Sequence, residues 1–171
     1  RFLVVLLVLV IRGGVLGIGV FALYLSNRFP VAKVAVSGVE HLTAEEMTEL
    51  AAIPDTTTLI RLDTQGVTDR LKSNSWVRDA AVERVFPDTV NLNITERRIT
   101  AVCDVTVDND SQSTQTWALA SDGMWLMQIP DRTSDEGRAI ASRVYEDVDA
   151  ALRISNVPYG SVPEAGTTCT N

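Results

Sequence analysis

The segment from Trp76 to Arg98, WVRDAAVERVFPDTVNLNITERR, constrains the fold of this chain most strongly, because it has the pattern of a β-hairpin. Val90, Leu92 and Ile94 alternate with polar residues, which is the two-residue period of a strand with one buried face. Pro87 has no amide N–H to donate and therefore fits the corner between the strands. Two strands alone are marginally stable, so this hairpin must pack on other elements.

The residues before the hairpin supply those elements. Residues 31–36 alternate as a short first strand, and a capping-box pattern at Thr43 begins a helix. A second helix, capped by Asp63 or Thr64, follows and leads into the hairpin. The resulting order, β-α-α-β-β over residues 31–96, predicts a two-layer α+β domain with two helices on one face of a three-stranded sheet.

Residues 2–25 are almost wholly apolar, which predicts a single membrane-spanning helix. At ~1.5 Å per residue this helix would be about 36 Å long, enough to cross a bilayer. A cleaved signal peptide is the alternative, but its apolar core usually covers only about 7–15 residues. We therefore expect residues 1–28 to be a retained anchor and its short link, with a cytoplasmic N-terminus and the remainder outside the cytoplasm.

Three residues within this span are candidates for packing between membrane helices. Gly13 and Gly17 form a G-x-x-x-G pattern, which allows a second helix to approach closely. Arg12 interrupts the span at a cost of about 2.5–3.5 kcal/mol, so it needs a partner or a position near the headgroups. The alternative is that glycine is simply common in membrane helices and that Arg12 lies at the cytoplasmic surface.

The charge of the chain argues against nucleic acid as a partner. Of the 15 basic residues only Arg1 and Arg12 lie in or before the apolar span, whereas all 22 acidic residues follow it. The remainder is therefore acidic, and nucleic-acid binding needs a basic face. Such a domain would also be repelled by anionic lipid headgroups. Solubility is the simplest explanation of this acidity.

Beyond the hairpin the pattern changes. We expect a strand over 99–105, a polar loop over 104–116, a hairpin at Asp122-Gly123 and a helix over 135–152. These pieces do not complete a sheet. The sequence therefore predicts a partial β-rich domain with one helix over residues 98–171, continuing after the last residue given.

Residue types that carry chemistry are scarce. The single histidine, His41, lies beside no metal-binding or catalytic pattern and is predicted to be a surface or loop residue. No phosphate-binding loop or nucleophile motif is present, so we expect no catalytic, metal or cofactor site and no small-molecule substrate. Cys103 and Cys169 could form a disulfide outside the cytoplasm, or remain two buried free thiols.

Binding remains as the function that these residues favour. In a three-stranded sheet of this order, the strand around residues 80–86 lies at an edge, and an edge strand can accept a strand from a partner. Alternatively, Arg78, Glu83 and Arg84 only protect the edge against aggregation.

Two segments resemble the bacterial cell-division family FtsQ/DivIB. They are FPVAKVAVSGVEHLTAEEM and LIRLDTQGVTDRLKSNSWVRDAAVERVFPDTVNLNITERRITAV, which follow the single span. Residues 29–97 resemble the POTRA domain of this family, and residues 98–171 correspond to an incomplete copy of the β-domain that follows it. The likeness extends over about residues 1–129. Its most specific part is the pattern W-V-x-x-A-x-V-x-R-x-F-P-x-T-V, which Glu96-Arg97 follow.

The resemblance implies a non-enzymatic, single-pass plasma (inner) membrane protein of the divisome, located at the division septum. Family members bind the coiled-coil membrane proteins FtsL and FtsB or DivIC and help to regulate septal peptidoglycan synthesis. Their main contact with these partners lies late in the β-domain, beyond what matches here. The POTRA domain is implicated in recruitment. We therefore treat the following residues as candidate partner contacts: Val82, Arg84, Phe86, Pro87, Thr89, Glu96 and Arg97. The alternative for Phe86 and Pro87 is a purely structural role.

Two features depart from the family, and two other functions stay open. Arg12 lies deeper in the span than the family pattern has it, and the helix over 135–152 has no family counterpart. POTRA folds also occur in protein-translocation and chaperone components, and a fold alone does not determine function. The other function that stays open is that of a membrane-anchored cell-wall enzyme or sensor whose active domain follows residue 171.

Overall fold

The computed structural model describes residues 1–25, 28–107, 114–140, 142–159 and 162–169 of the chain. Within these ranges the chain forms a long N-terminal helix and two sheets with four further helices. In chain order the elements are α1 (Phe2–Leu25), β1 (Lys33–Ser37), α2 (Ala44–Ala51), α3 (Thr64–Lys72), β2 (Val77–Val85), β3 (Thr89–Glu96), β4 (Ile99–Val107), β5 (Thr114–Ala120), β6 (Trp125–Gln128), α4 (Asp135–Ala139), α5 (Ser142–Ala150) and β7 (Leu152–Tyr159).

The first sheet has the predicted β-α-α-β-β order. Its strands lie in the order β1-β3-β2, with β3 parallel to β1 and antiparallel to β2. Helices α2 and α3 pack on one face, and the core between the two layers is apolar. Its fully or almost fully buried members include Met47, Ala51, Val67, Leu71, Val90, Leu92 and Ile94. The period-two pattern of the hairpin therefore identified the buried face of β3 correctly.

Capping residues account for where the two helices of this layer begin. Thr43 accepts a hydrogen bond from the Glu46 N–H, and Glu46 in turn accepts from the Thr43 N–H, which completes the capping box. Asp63, rather than Thr64, is the N-cap of α3 and accepts from the Gly66 N–H at 3.0 Å.

The second sheet corrects two expectations. The pieces after β3 do form a sheet, in the order β6-β5-β4-β7, because β7 pairs in parallel with β4. β7 was not predicted because it lies at an edge and most of its side chains are exposed, with Val157 half-buried, so its sequence lacks a clean alternation. Pro158 within it is compatible with an edge position, where a ladder N–H is not required.

The single helix predicted over 135–152 is also wrong. Ser134 caps α4 as expected, but Ile140 adopts an extended conformation that ends this helix after one turn. A separate helix, α5, follows over Ser142–Ala150, and Leu152 already belongs to β7. The apolar stripe through Val144 and Val148 is real, because Val144 is buried and Val148 packs on the same cluster.

The connection between β4 and β5 is shorter than the loop predicted over residues 104–116. β4 continues to Val107 and β5 begins at Thr114, so both ends of this segment are strand. The centre of the predicted loop, residues 108–113, lies outside the described residues.

Helix α1 covers the whole of the predicted span, over Phe2–Leu25. Counted over the residues that the structure describes fully, no helix reaches the length and apolar character needed to cross a membrane. The membrane anchor therefore stays a prediction.

Candidate interaction surfaces and the junction between the sheets

Glu96, at the end of β3, organises the loop between β1 and α2. Its carboxylate accepts hydrogen bonds from three consecutive backbone N–H groups, those of Glu40 (2.8 Å), His41 (2.9 Å) and Leu42 (3.0 Å). The chain reaches this position through Gly38, whose φ of +81° favours glycine. The Glu96 side chain is only 6% exposed, so these N–H groups have little access to water in its place.

His41 is not the surface histidine that the sequence analysis predicted. Its ring is 6% exposed and stacks on Trp76 at a centroid distance of 4.9 Å. Nδ1 lies 3.0 Å from a Glu96 carboxylate oxygen, and Nε2 lies 3.0 Å from an oxygen of Asp147 on α5. Because a carboxylate only accepts, His41 donates to both partners only when both ring nitrogens carry a proton.

The surroundings of Glu96 lower the pKa of its carboxyl group below the usual range. Burial acts in the opposite direction and raises the pKa, since it disfavours the charged form. The backbone N–H groups of Leu42, His41 and Glu40, together with the His41 side chain, outweigh burial. The folded state therefore holds the charged form of Glu96.

This lowered pKa predicts a loss of stability in acid. Between the folded and unfolded pKa values of Glu96 the unfolded chain binds more protons, so stability falls as the pH falls. The contribution of Glu96 to the free energy of unfolding is complete above the pKa of this group in the unfolded chain. It disappears as the pH drops through the lower pKa of the folded state. Urea unfolding from about pH 6 to about pH 3 should show a steeper loss for the wild type than for Glu96→Gln. Parallel curves would contradict this assignment.

Arg97 joins the two sheets. Its Nε donates to Asp122 Oδ2 at 2.8 Å, and Asp122 lies in the turn between β5 and β6. Its Nη1 donates to the backbone carbonyls of Ser75 (2.9 Å) and Val77 (2.6 Å). The hydrogen bond from Arg97 also lowers the pKa of Asp122. Arg97 is thus occupied by contacts within the chain.

Apolar packing and one more hydrogen bond complete this junction. Trp76, 9% exposed, packs in the cluster of the second sheet with Ala118, Leu126 and Val144 rather than in the core of the first sheet. Ser75 Oγ donates to the Leu126 carbonyl at 2.8 Å. The two sheets are therefore connected by charged, polar and apolar contacts at the same end of β3.

The seven candidate partner contacts separate into two groups. Glu96 and Arg97 lie at the junction, where their side chains serve the contacts described above. The other five lie along β2, in the β2–β3 turn and at the start of β3; these are Val82, Arg84, Phe86, Pro87 and Thr89. β2 pairs only with β3 in the described sheet, so its other edge is open, as expected from the sequence.

The exposed part of this second group lies at the turn. Phe86 is 56% exposed and Val85, which the sequence analysis did not select, is 41% exposed. Pro87 is exposed, whereas Val82 and Thr89 are half-buried. Arg84 is exposed too, but its Nη2 donates to the Leu62 carbonyl at 2.7 Å. A substitution of Arg84 would therefore disturb the fold as well as the surface.

The two cysteines are free thiols in the structure. Both belong to one cluster with Val105, Trp117 and Trp125. Burial raises the pKa of the Cys103 thiol, and the neighbouring Cys169 and Asp104 raise it further. The disulfide between Cys103 and Cys169 stays a prediction.

The described residues offer no set of three or more His, Cys, Asp or Glu side chains arranged to hold a metal ion.

In α1, the residues selected for helix packing, Arg12, Gly13 and Gly17, are all exposed. A Cβ atom built on either glycine would meet no other atom within 4 Å. The glycine face of α1 therefore has room for a neighbouring helix.

The junction could not be read from the sequence. His41, Trp76 and Asp147 come from three separate segments, and none carries a local pattern that points to the others. Glu96-Arg97 was the one usable signal, because this pair ends the pattern that resembles the FtsQ/DivIB family most specifically.

Comparison with known proteins identifies the first sheet and its helices. A family profile described as "POTRA domain, FtsQ-type" matches residues 29–97. A curated "Cell division protein FtsQ" from Streptomyces bingchenggensis is 35% identical over 155 residues, which is 86% of this chain and 58% of that protein.

Other relatives match a smaller share of the chain. "Cell division protein FtsQ" from Bradyrhizobium diazoefficiens is 31% identical over 45% of this chain and 22% of its own length. "Cell division protein DivIB" from Geobacillus kaustophilus is 36% identical over 43% of this chain and 29% of its own length. The chain thus spans well under two thirds of the curated relatives that it matches.

Proposed function

We propose that this chain is a member of the FtsQ/DivIB family of bacterial cell-division proteins and serves as a non-enzymatic interaction scaffold of the divisome. In this role it links division proteins outside the cytoplasm and helps to regulate septal peptidoglycan synthesis. The observation that carries the proposal is the FtsQ-type POTRA match over residues 29–97, on a domain whose β2 edge is open.

The open edge of β2 is the proposed site of recruitment. An edge strand presents unpaired N–H and C=O groups, to which a partner can add a strand by main-chain hydrogen bonds. In β2 the residues Ala81, Glu83 and Arg84 are exposed, and Val82 is half-buried. Coiled-coil membrane proteins of the FtsL and FtsB or DivIC type are proposed as partners of the whole protein.

Membrane attachment through α1 is the second part of the proposal. Its described apolar side chains are exposed along the helix, with Leu9 at 63%, Leu16 at 71% and Ile18 at 72%. So large an apolar surface is unfavourable in water and favourable in a bilayer. We place residues 2–25 across the plasma membrane, with the POTRA domain outside the cytoplasm, and Arg12, Gly13 and Gly17 on a face that packs against another membrane helix.

Two neighbouring proline substitutions test the recruitment edge. In an edge strand, successive residues direct their N–H groups alternately to the paired strand and to the open side. Of Ala81→Pro and Val82→Pro, one should therefore remove a ladder hydrogen bond and lower stability by about 3 kcal/mol. The other should leave the ladder nearly intact and remove only an outward N–H.

The readouts are urea unfolding of both variants and septal recruitment in dividing cells. We expect the variant that retains stability to lose recruitment, because the outward N–H is the group that a partner strand would use. Wild-type recruitment by that folded variant would exclude the β2 edge as the contact. Arg84→Glu is a weaker test, since it also breaks the hydrogen bond to Leu62.

A further inference from the structure

We propose that the tip of the β2–β3 hairpin, Val85, Phe86 and Pro87, docks into the lipid headgroup region of an anionic membrane, beside the end of α1. This surface would hold the POTRA domain against the bilayer instead of leaving it free on its tether. The proposal rests on the proposed function in one respect, because it requires that α1 is the membrane anchor.

Direct contacts connect the hairpin tip to the residues that follow α1. The Phe86 ring meets the Phe29 ring edge-on, with 5.2 Å between the ring centroids. The backbone N–H groups of Ala32 and Lys33 donate to the Asp88 carbonyl at 2.8 and 3.2 Å. Phe29 is itself tied to the domain, because its carbonyl accepts from the Leu59 N–H at 2.8 Å. The tip therefore moves with Phe29 as one unit.

The length of the chain between α1 and Phe29 limits how far the tip can lie from the membrane. α1 ends at Leu25, and each residue of extended chain spans at most about 3.6 Å, so Phe29 lies within about 14 Å of the helix end. A helix of this length exceeds the hydrocarbon core of about 30 Å, and the headgroup layers extend several Å further on each side. Phe29 and Phe86 consequently lie at headgroup level or just above it.

The exposed side chains at the tip suit that environment. Phe86 is 56% and Val85 is 41% exposed, whereas the apolar residues on the inner faces of the helices and the sheet pack in the core of the domain. Aromatic side chains are enriched at the interface between membrane and water, where a ring inserts among the headgroups. An apolar tip has more to gain there than in water.

The charges around the tip differ from those of the chain as a whole. The net charge of the protein is −7, but this end of the domain carries four basic residues, Arg28, Lys33, Arg61 and Arg84, beside the acidic residues Asp55, Glu83 and Asp88. Asp88 is the acidic residue within the turn, and its carboxylate accepts a hydrogen bond from Thr89 at 2.9 Å. The acidic excess of the whole chain is therefore not repeated at this end, where the four basic side chains favour anionic headgroups.

Tryptophan quenching in vesicles tests the proposal. The full chain is reconstituted into vesicles of phosphatidylcholine and phosphatidylglycerol that contain a lipid with a nitroxide spin label on its headgroup, as wild type, Phe86→Trp and Leu152→Trp. Leu152 is the control because it is 68% exposed but lies far from the hairpin tip. It pairs with Ala101, which follows the end of β3 opposite to the β2–β3 turn. The wild type supplies the background from Trp76, Trp117 and Trp125.

We expect the added emission of Phe86→Trp to be mostly quenched, and that of Leu152→Trp to be almost unaffected. Quenching should weaken in vesicles of phosphatidylcholine alone, where the basic residues lose their partners. Flotation of the wild type with the vesicles separates the two proposals. A chain that fails to float contradicts the anchor and with it the docking, whereas a floating, folded Phe86→Trp variant without quenching overturns the docking alone.

Discussion

Replacing Glu96 with alanine should lower the free energy of unfolding by about 3 kcal/mol, because it removes the acceptor of three backbone N–H groups at once. These N–H groups belong to Glu40, His41 and Leu42, and the carboxylate that receives them is almost completely buried. His41 loses a partner in the same step. Equilibrium urea unfolding at about pH 7 measures the effect.

Glu83→Ala is the matched control for this substitution. Glu83 lies on β2 in the same sheet, pairs with Asn91 across the hairpin, and is exposed. Its replacement should change the unfolding free energy by about 0.5 kcal/mol or less. If Glu96→Ala were equally mild, Glu96 would not organise the loop before α2. A role of Glu96 as a surface contact for partners would then regain support.

The replacement of Gly38 with alanine should have the largest effect of any single methyl group in the first domain, about 4 kcal/mol. An added Cβ would lie 2.0 Å from the Ile94 backbone oxygen, and the φ of +81° is itself unfavourable for alanine. Neither the turn at Gly38 nor β3 can shift without breaking the hydrogen bonds that Glu96 accepts from the loop before α2. Thermal or urea unfolding of the variant measures the loss.

Gly166→Ala separates the cost of the clash with β3 from the cost of a positive φ. Gly166 has a similar φ of +84°, but a Cβ there would approach nothing closer than Ser75 at 3.9 Å. This variant should therefore show only the conformational cost of about 1–2 kcal/mol. Equal losses at both positions would show that the close approach of Gly38 to β3 is not what matters.

The sequence predicted the first domain well because its signals are local. The alternation of Val90, Leu92 and Ile94 and the capping box at Thr43 each depend on residues a few positions apart, and both appear in the structure. The edge position of β2 followed from the element order alone.

The junction and the second sheet were less predictable for the opposite reason. His41 acquires its environment from Trp76 and Asp147, which lie far along the chain, and a lone histidine gives no local hint of this. The helical stripe after Ser134 continued past Ile140 in the sequence, but the extended backbone there divides it into α4 and α5. β7 depends on parallel pairing with β4, which no local pattern encodes.

The structure also changes the meaning of the motif Glu96-Arg97. Read from the sequence, this pair was a candidate for partner binding. In the fold, Glu96 holds the loop before α2, and Arg97 joins the first sheet to the turn at Asp122 in the second. Partner binding is therefore proposed for the open edge of β2, and membrane docking for the hairpin tip.

The position of the protein in dividing cells tests the central claim most directly. A fluorescent fusion of the whole protein, imaged together with a membrane stain, should form a band at the division site in cells that are constricting. This result follows if the chain is a divisome scaffold held by α1. A uniform signal around the membrane of constricting cells, from a fusion shown to be intact and folded, would contradict the account.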